Sequence, residues 1–292
     1  MKRIKKIIPL GLAIIVALGL FCGWKKYNKK KNDNKYISKA VYLYNLTDDK
    51  EVLSKNENER LPMASLTKIM TVRVALKHIE DLGETAPVDL GAYYRAVDMN
   101  TSMASFFGGE ATTFRDLLYA TILKSAGEAA DSLAMNISGS MDNFVALMNK
   151  EVEDLGLKNT SYANADGMDD PGNYQSAKDC AMLIKDSLND GDFRAIFTKR
   201  DFVTSPTADH PDGVYLESTI FSHLRKYEQN GFEILGGKSG TTDNAGLCWA
   251  TLAVKNNKEY ILVVMGVPYD DIDNLNDGHI EETLRIYENI GG

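Results

Sequence analysis

Residues 60–80 read RLPMASLTKIMTVRVALKHIE, and this stretch decides the fold. Its apolar side chains recur at helical spacing, namely Ile69, Val72, Leu76 and Ile79. The pattern predicts an amphipathic helix over residues 65–80. Ser65 opens that helix and Lys68 follows three residues later, so both side chains lie on one helix face and can meet.

Strand-like segments lie on both sides of a helical middle. The predicted strands are residues 40–46, 51–54, 234–241, 248–254 and 260–267. Further helices are predicted over 113–137 with a break at 125–127, and over 143–155, 176–188 and 280–290. This order predicts an α/β (α+β) fold. Strands from both ends of the chain share one antiparallel sheet flanked by helices, with an all-helical insertion between them.

Composition and charge narrow the class of protein. The chain has 292 residues, 44% of them hydrophobic, which is enough for one large domain or two small ones. Its net charge is −8, but residues 1–35 hold ten Lys and Arg against one acid, so residues 36–292 carry −17. A body this acidic repels phosphates and argues against nucleic acid as a partner. Three cysteines cannot build a disulfide framework, and four scattered histidines argue against a metal site.

The N-terminus is typical of a membrane-targeting segment. Residues 2–6 are basic, and residues 7–24 follow without a charge. Such a run is just long enough to cross a hydrocarbon core of about 30 Å as a helix. The residues before Cys22 are bulky, which favours an uncleaved single-pass anchor over cleavage or lipidation. We therefore expect an anchor and basic tether over residues 1–35 and one domain over residues 36–292.

Three short motifs carry candidate chemistry. Ser65 with Lys68 supplies a nucleophile and an amine base, because a lysine whose pKa is lowered by burial accepts a proton from a hydroxyl. Ser125 lies at the break between two apolar helices, and Lys238 lies within a predicted strand, where its amine can hold a carboxylate. Each motif alone has a structural alternative: a solvated helix, a small-residue helix junction and an edge-strand lysine that discourages aggregation.

Together the three motifs resemble those of the penicillin-binding serine D-Ala-D-Ala carboxypeptidases, within the β-lactamase-like superfamily. The matching stretches are RLPMASLTKIMT (60–71), YANADGMDD (162–170) and GGKSGTTDNAG (236–246). The resemblance runs over about residues 38–290 and implies a β-lactamase/transpeptidase-like fold. It implies neither a metal nor a cofactor.

The resemblance also implies a role for each motif residue. Ser65 is the nucleophile, Lys68 is its base, and Ser125 relays a proton between Lys68 and the leaving amine. Backbone N–H groups of Ser65 and Thr241 form the oxyanion hole. The implied substrate-binding residues are Lys238, which holds the terminal carboxylate, Ser239 and Thr241.

The sequence departs from the family pattern at two positions. Ser239 stands where the family usually has Thr, so a hydroxyl is kept. Gly127 stands where the family has Asn, so the side-chain amide that orients Lys68 or binds substrate is missing. Losing one such hydrogen bond costs about 1–3 kcal/mol. On this ground we expect Gly127→Asn to preserve or raise activity.

These observations predict a serine D-Ala-D-Ala carboxypeptidase that removes the terminal D-Ala from peptidoglycan stem peptides and is acylated by β-lactams. The expected location is the cell membrane, with the catalytic domain outside it, or secretion if the N-terminal segment is cleaved. A serine β-lactamase of related fold is one alternative, although no E-x-x-L-N stretch lies between Gly127 and Lys238. A non-catalytic peptidoglycan-binding module is the other, because of Gly127.

Overall fold

The computed structural model describes residues 35–270 and 275–291, and an antiparallel sheet joins the two ends of this part of the chain. The strands are β1 (Ala40–Asn45), β2 (Lys50–Lys55), β3 (Thr85–Pro87), β4 (Ala111–Thr113), β5 (Asp201–Val203), β6 (Tyr215–Glu217), β7 (Glu233–Thr242), β8 (Gly246–Lys255) and β9 (Lys258–Val267). The main sheet has the order β2-β1-β9-β8-β7, and each neighbouring pair is antiparallel. The predicted α/β fold, with N- and C-terminal strands in one sheet, is confirmed.

Helices fill the chain between the two halves of the sheet. They are α1 (Thr67–His78), α2 (Leu90–Asp98), α3 (Phe114–Leu123), α4 (Gly127–Ser138), α5 (Met141–Asp154), α6 (Ala177–Ser187), α7 (Gly191–Phe197) and α8 (Thr219–Leu224), and α9 (Gly278–Glu288) follows the sheet. The insertion is not all-helical, because β3 pairs with β4 and β5 pairs with β6. These three-residue ladders are too short to give an alternating pattern in the sequence.

Local capping signals set where several helices begin. The Thr113 hydroxyl accepts a hydrogen bond from Asp116 N–H, and the Asp116 carboxylate accepts one from Thr113 N–H. This reciprocal pair is a capping box at the start of α3. Ser176 accepts from Asp179 N–H in the same way at the start of α6. Both pairs satisfy N–H groups that a helix end leaves without an intrahelical partner.

Helix α1 runs through the core, which fixes the residues at its N-terminus. Val72, Val74 and Ala75 are fully buried, and α1 packs against α3, α4, α5, α6 and α7. A helix enclosed on this many sides cannot shift without opening cavities in the core. Lys68, near the start of this helix, and Ser65, in the turn before it, are therefore held in place by the core.

Two further predictions concern the cysteines and the membrane. Cys180 and Cys248 are buried free thiols. Burial raises the pKa of the Cys248 thiol to about 11. Within residues 35–270 and 275–291, no helix has both the length and the apolar character that a bilayer crossing requires. The predicted anchor over residues 7–24 lies outside the described residues.

Candidate active site

Ser65 lies in a tight turn directly before α1. The turn is a 3₁₀ helix over Ala64–Leu66, and the α-helix begins at Thr67. The predicted start of the α-helix at Ser65 is therefore two residues early. Ala64 has a φ of 48°, a left-handed conformation that redirects the chain into the turn. Ser65 consequently lies in the turn before the buried helix rather than within the helix.

Lys68 contacts Ser65 as their spacing predicts. The Lys68 Nζ atom donates a hydrogen bond to Ser65 Oγ at 3.1 Å and another to the backbone carbonyl of Asp166. The Lys68 side chain is 2% exposed. This burial lowers the pKa of the Lys68 amine, against the opposing charges of Asp166 and Asp131. A buried amine with a lowered pKa next to a hydroxyl is suited to take the hydroxyl proton.

A network of charged side chains lies behind Lys68. Arg95 Nη1 forms ion pairs with Asp131 Oδ2 and, at 2.9 Å, with Asp166 Oδ2. The backbone carbonyl of Asp166 accepts the hydrogen bond from Lys68, and its carboxylate binds Arg95. Arg95 therefore fixes the position of Asp166, which in turn positions Lys68. Burial and the nearby Asp166 charge raise the pKa of Asp131 to about 7. Arg95 and Asp131 could not be predicted from the sequence, since their partners are distant in the chain.

Glu128 is a second buried acid near Lys68. Its Oε1 atom accepts a hydrogen bond from Ala104 N–H at 2.6 Å. No described residue forms a hydrogen bond with its Oε2 atom, which is buried. Burial raises the pKa of Glu128 to about 7. The side chain therefore keeps its proton to a higher pH than an exposed glutamate does.

Ser125 and Lys238 come together from distant parts of the chain. Ser125 lies between α3 and α4 with a φ of 58°, and Lys238 lies in β7. Lys238 Nζ donates to Ser125 Oγ at 2.8 Å and to the carbonyl oxygen of Ser239 at 2.7 Å. Lys238 is fully buried, and both burial and the charge of Lys68 lower the pKa of its amine well below the usual range. No ion pair joins Lys238 to a carboxylate of the described residues.

Strand β7 packs directly on the turn that carries Ser65. A Cβ atom at Gly240 would lie 2.9 Å from the Ser65 nitrogen, so only glycine allows this approach. The neighbouring Thr241 lines the cavity next to Ser65. The Ser239 hydroxyl lies 3.0 Å from the Thr219 hydroxyl on α8 and does not line this cavity. The glycine in this motif thus lets the strand reach the turn that carries Ser65.

A cavity of about 400 Å³ lies beside Ser65. Ser65, Lys68, Ser125 and Thr241 line it, together with the Asp166–Asp169 segment. Ser65 and Lys68 meet at this cavity, and Ser125 links it to the Lys238 amine. Two serine hydroxyls and one amine thus border the cavity, and the buried Lys238 amine, which does not line it, contacts Ser125 from behind. This set is suited to acyl transfer on a substrate that carries a negative charge near the scissile bond.

Comparisons with known proteins agree with this geometry. The family model described as D-alanyl-D-alanine carboxypeptidase matches residues 27–269. D-alanyl-D-alanine carboxypeptidase DacF of Bacillus subtilis is 30% identical over 273 residues, which cover 91% of this chain and 66% of DacF. DacA of Haemophilus influenzae is 32% identical over 225 residues, covering 73% of this chain and 53% of DacA. The chain thus spans between about half and two thirds of the length of these relatives.

Solved structures share the fold. The Streptomyces K15 DD-transpeptidase aligns with a TM-score of 0.75 and 24% identity over 87% of this chain and 96% of its own. A D-alanyl-D-alanine carboxypeptidase from Mycobacterium tuberculosis aligns with a TM-score of 0.71 and 20% identity, over 86% of this chain and 89% of its own. At these identities the two alignments show a shared fold. They cover 87% and 86% of this chain.

Proposed function

Because the chain belongs to the D-alanyl-D-alanine carboxypeptidase family, we propose that it removes the terminal D-Ala from peptidoglycan stem peptides through an acyl-enzyme on Ser65. The observation that carries the proposal is the 3.1 Å contact between Lys68 Nζ and Ser65 Oγ at a cavity that the buried Lys238 amine reaches through Ser125. Lys238 supplies an amine that, once protonated, pairs with the free carboxylate at the end of the substrate.

The acylation step uses Ser65 and Lys68. Ser65 Oγ attacks the carbonyl carbon of the penultimate D-Ala while the neutral Lys68 amine takes the hydroxyl proton. The negative charge that develops on the carbonyl oxygen is stabilised by backbone N–H groups of Ser65 and Thr241. The pKa of Lys68, lowered by burial, supports the neutral amine that this step needs.

The leaving group departs through Ser125. Lys68 passes its proton to Ser125, whose own hydroxyl proton goes to the amine nitrogen of the terminal D-Ala, and the C–N bond breaks. Lys238 holds the carboxylate of this residue. A water molecule then gives a proton to Lys68 and attacks the ester carbon. As the bond from that carbon to Ser65 Oγ breaks, Lys68 returns the proton to Ser65 Oγ, which releases the shortened peptide as a carboxylic acid and restores both residues. The 2.8 Å contact between Ser125 and Lys238 supports placing the leaving residue here.

The domain division and the location are part of the same proposal. Residues 36–292 form the catalytic domain, and the described residues from Ser38 onward belong to one compact unit. Residues 1–35 hold that domain at the outer face of the cell membrane, with residues 7–24 as the anchor. Substitution of Val16 by Asp should release the full-length protein from washed membranes, while the mass of the wild-type protein should show an intact N-terminus. A shortened wild-type chain in the medium would instead establish cleavage and secretion.

The activity itself is tested by mass and by product. The protein should release D-Ala from a diacylated L-Lys-D-Ala-D-Ala tripeptide and should gain one penicilloyl group on Ser65, and Ser65→Ala should do neither. Absence of both in the wild-type protein would indicate a non-catalytic binding module. Fast, sustained hydrolysis of nitrocefin would indicate a β-lactamase. A carboxypeptidase instead hydrolyses the ester between Ser65 and the opened β-lactam slowly.

A further inference from the structure

The segment Asn100–Ala104 crosses the N-terminus of α4 and is fixed there by two backbone contacts. Gly127 N–H donates a hydrogen bond to the carbonyl of Ser102 at 2.8 Å. Ala104 N–H donates to the buried Glu128 carboxylate at 2.6 Å. Gly127 and Glu128 thus hold this segment against the cavity that contains Ser65.

Thr101 in this segment occupies the space beside Gly127. A Cβ atom at position 127 would lie 2.5 Å from Thr101 Oγ1 and 3.2 Å from Thr101 Cβ. Both distances are shorter than ordinary van der Waals contacts, so a side chain at 127 and the present Thr101 conformation exclude each other. The Thr101 side chain, which comes from another segment, therefore fills the space that a side chain at position 127 would occupy.

The Thr101 hydroxyl has hydrogen-bonding capacity to spare. It lines the same cavity as Ser65, Lys68 and Ser125, and the side chain is half-buried. The hydroxyl donates a hydrogen bond to the carbonyl oxygen of Ser102 at 3.4 Å, a distance that is long for a hydroxyl donor. A hydroxyl offers one donor and two acceptor sites, so Thr101 can bind a peptide N–H or C=O in the cavity.

We propose that Thr101 is a substrate-binding residue whose hydroxyl bonds the backbone amide of the bound peptide next to Ser65. This inference rests on the proposed function, because it concerns the peptide that the carboxypeptidase reaction consumes. The geometry assigns to Thr101 the polar contact that the motif residue at 127 cannot make. It also explains why position 127 holds glycine: a larger residue would displace the hydroxyl.

The first test removes the hydroxyl and keeps the shape. Thr101→Val should lower kcat/KM for D-Ala release and the rate of Ser65 acylation by penicillin about tenfold. Thr101→Ser keeps the hydroxyl and should fall between the wild-type protein and the valine variant. Thr198→Val is the matched control, because Thr198 is half-buried, its hydroxyl bonds Arg194 O, and it does not line the cavity. Melting temperatures of the variants separate lost binding from lost folding.

The second test exchanges the two side chains. Gly127→Asn should lower kcat/KM, contrary to the expectation drawn from the sequence, because its Cβ meets Thr101. Combining it with Thr101→Gly should recover activity relative to Gly127→Asn alone, since the space is then free. Equal kcat/KM for Thr101→Val and the wild-type protein, or a Gly127→Asn defect that Thr101→Gly leaves unchanged, would overturn the inference. If the wild-type protein itself neither releases D-Ala nor forms a penicilloyl adduct, the proposed function fails, and this inference fails with it.

Discussion

Lys238 Nζ lies 2.8 Å from Ser125 Oγ, although the two residues are 113 positions apart in the chain. The amine is fully buried, and no carboxylate of residues 35–270 and 275–291 forms an ion pair with it. Burying an amine without a counter-ion is unfavourable for folding, because the buried group is costly to protonate. Its presence at the cavity is explained if an anionic ligand completes the pair, and the proposed substrate ends in such a group.

Removal of the Lys238 amine should affect substrates according to their charge. Lys238→Gln should lower kcat/KM about 100-fold for a peptide that ends in a free carboxylate, because one partner of a buried charge pair is lost. The same peptide with a C-terminal amide lacks the charge, so the variant and the wild-type protein should cleave it at similar rates. The two substrates are compared by the release of D-Ala or D-alaninamide. An equal loss of kcat/KM on both peptides would show that Lys238 does not bind the substrate carboxylate.

The same lysine should lower the stability of the empty protein. Burial lowers the pKa of Lys238, so between that lowered pKa and the unfolded value of about 10.4 the unfolded chain binds a proton that the folded chain does not. Stability of the wild-type protein therefore rises with pH in this range. Lys238→Met should be more stable than wild type at pH 6, and the difference should shrink towards pH 10. Urea unfolding across this range measures it.

A surface lysine provides the control for this measurement. Lys150 is exposed and pairs with Asp154, whose hydrogen bond raises the pKa of the Lys150 amine. Lys150→Met should therefore lose the pair without gaining stability at pH 6. If Lys238→Met is less stable than wild type at every pH, its hydrogen bonds to Ser125 and Ser239 outweigh the cost of burying the amine.

Glu128 should make the stability fall as the pH rises. Burial raises its pKa from 4.5 in an exposed chain to about 7, so between these values the unfolded state releases a proton that the folded state keeps. Above pH 7 the charged form lowers the free energy of unfolding by about 3 kcal/mol. Glu128→Gln keeps an oxygen for Ala104 N–H and removes the charge. Relative to wild type, it should gain stability between pH 4.5 and 7 and keep that gain above pH 7.

A second glutamate, Glu151, should make the stability rise with pH. Although burial acts to raise the pKa of Glu151, its hydrogen bonds and ion pairs with Lys77 and Arg73 lower it overall. Glu151→Gln should therefore lose stability relative to wild type once the pH is above about 4.5. Unfolding free energies at pH 5 and 8 compare the two variants. The same pH trend in both would mean that the charge of Glu128 is not penalised by burial.

Local signals in the sequence were sufficient for some of this structure. The Ser65–Lys68 contact follows from a spacing of three residues near a helix start, and the cap at Thr113 is a reciprocal pair within four residues. Helix α2 was missed because alanines form its buried face, while Leu90, Tyr94 and Val97 are exposed. The spacing of its large apolar residues therefore does not identify the buried face of the helix.

Long-range contacts are what the sequence could not supply. Ser125 and Lys238 were grouped through resemblance to a family, because neither residue carries a local sign of the other. Arg95 and Thr101 were missed for the same reason. Arg95 acts through Asp131 and Asp166, and Thr101 enters the cavity because residue 127 has no side chain. These contacts depend on how whole segments pack.

Gly167 should be essential to the shape of the turn that carries Ser65. Its φ is 85°, and a Cβ atom there would lie 2.1 Å from the carbonyl oxygen of Ala64 and 3.0 Å from the Ser65 nitrogen. Gly139 also has a left-handed φ, 73°, but nothing lies within 4 Å of its Cβ position. Replacing either glycine by alanine should cost about 1 kcal/mol in backbone strain. Only Gly167→Ala should in addition displace Ser65.

Comparing the two alanine variants separates backbone strain from displacement of the nucleophile. Gly139→Ala should melt a few degrees below wild type and acylate at the wild-type rate. Gly167→Ala should melt lower and acylate at least about 100-fold more slowly, because a shift of about 1 Å at a reacting group has an effect of this size. Penicilloyl adduct formation, followed by mass at a temperature where both variants are folded, measures the rate. Equal acylation by both would mean that the Ser65 turn does not depend on its contact with Gly167.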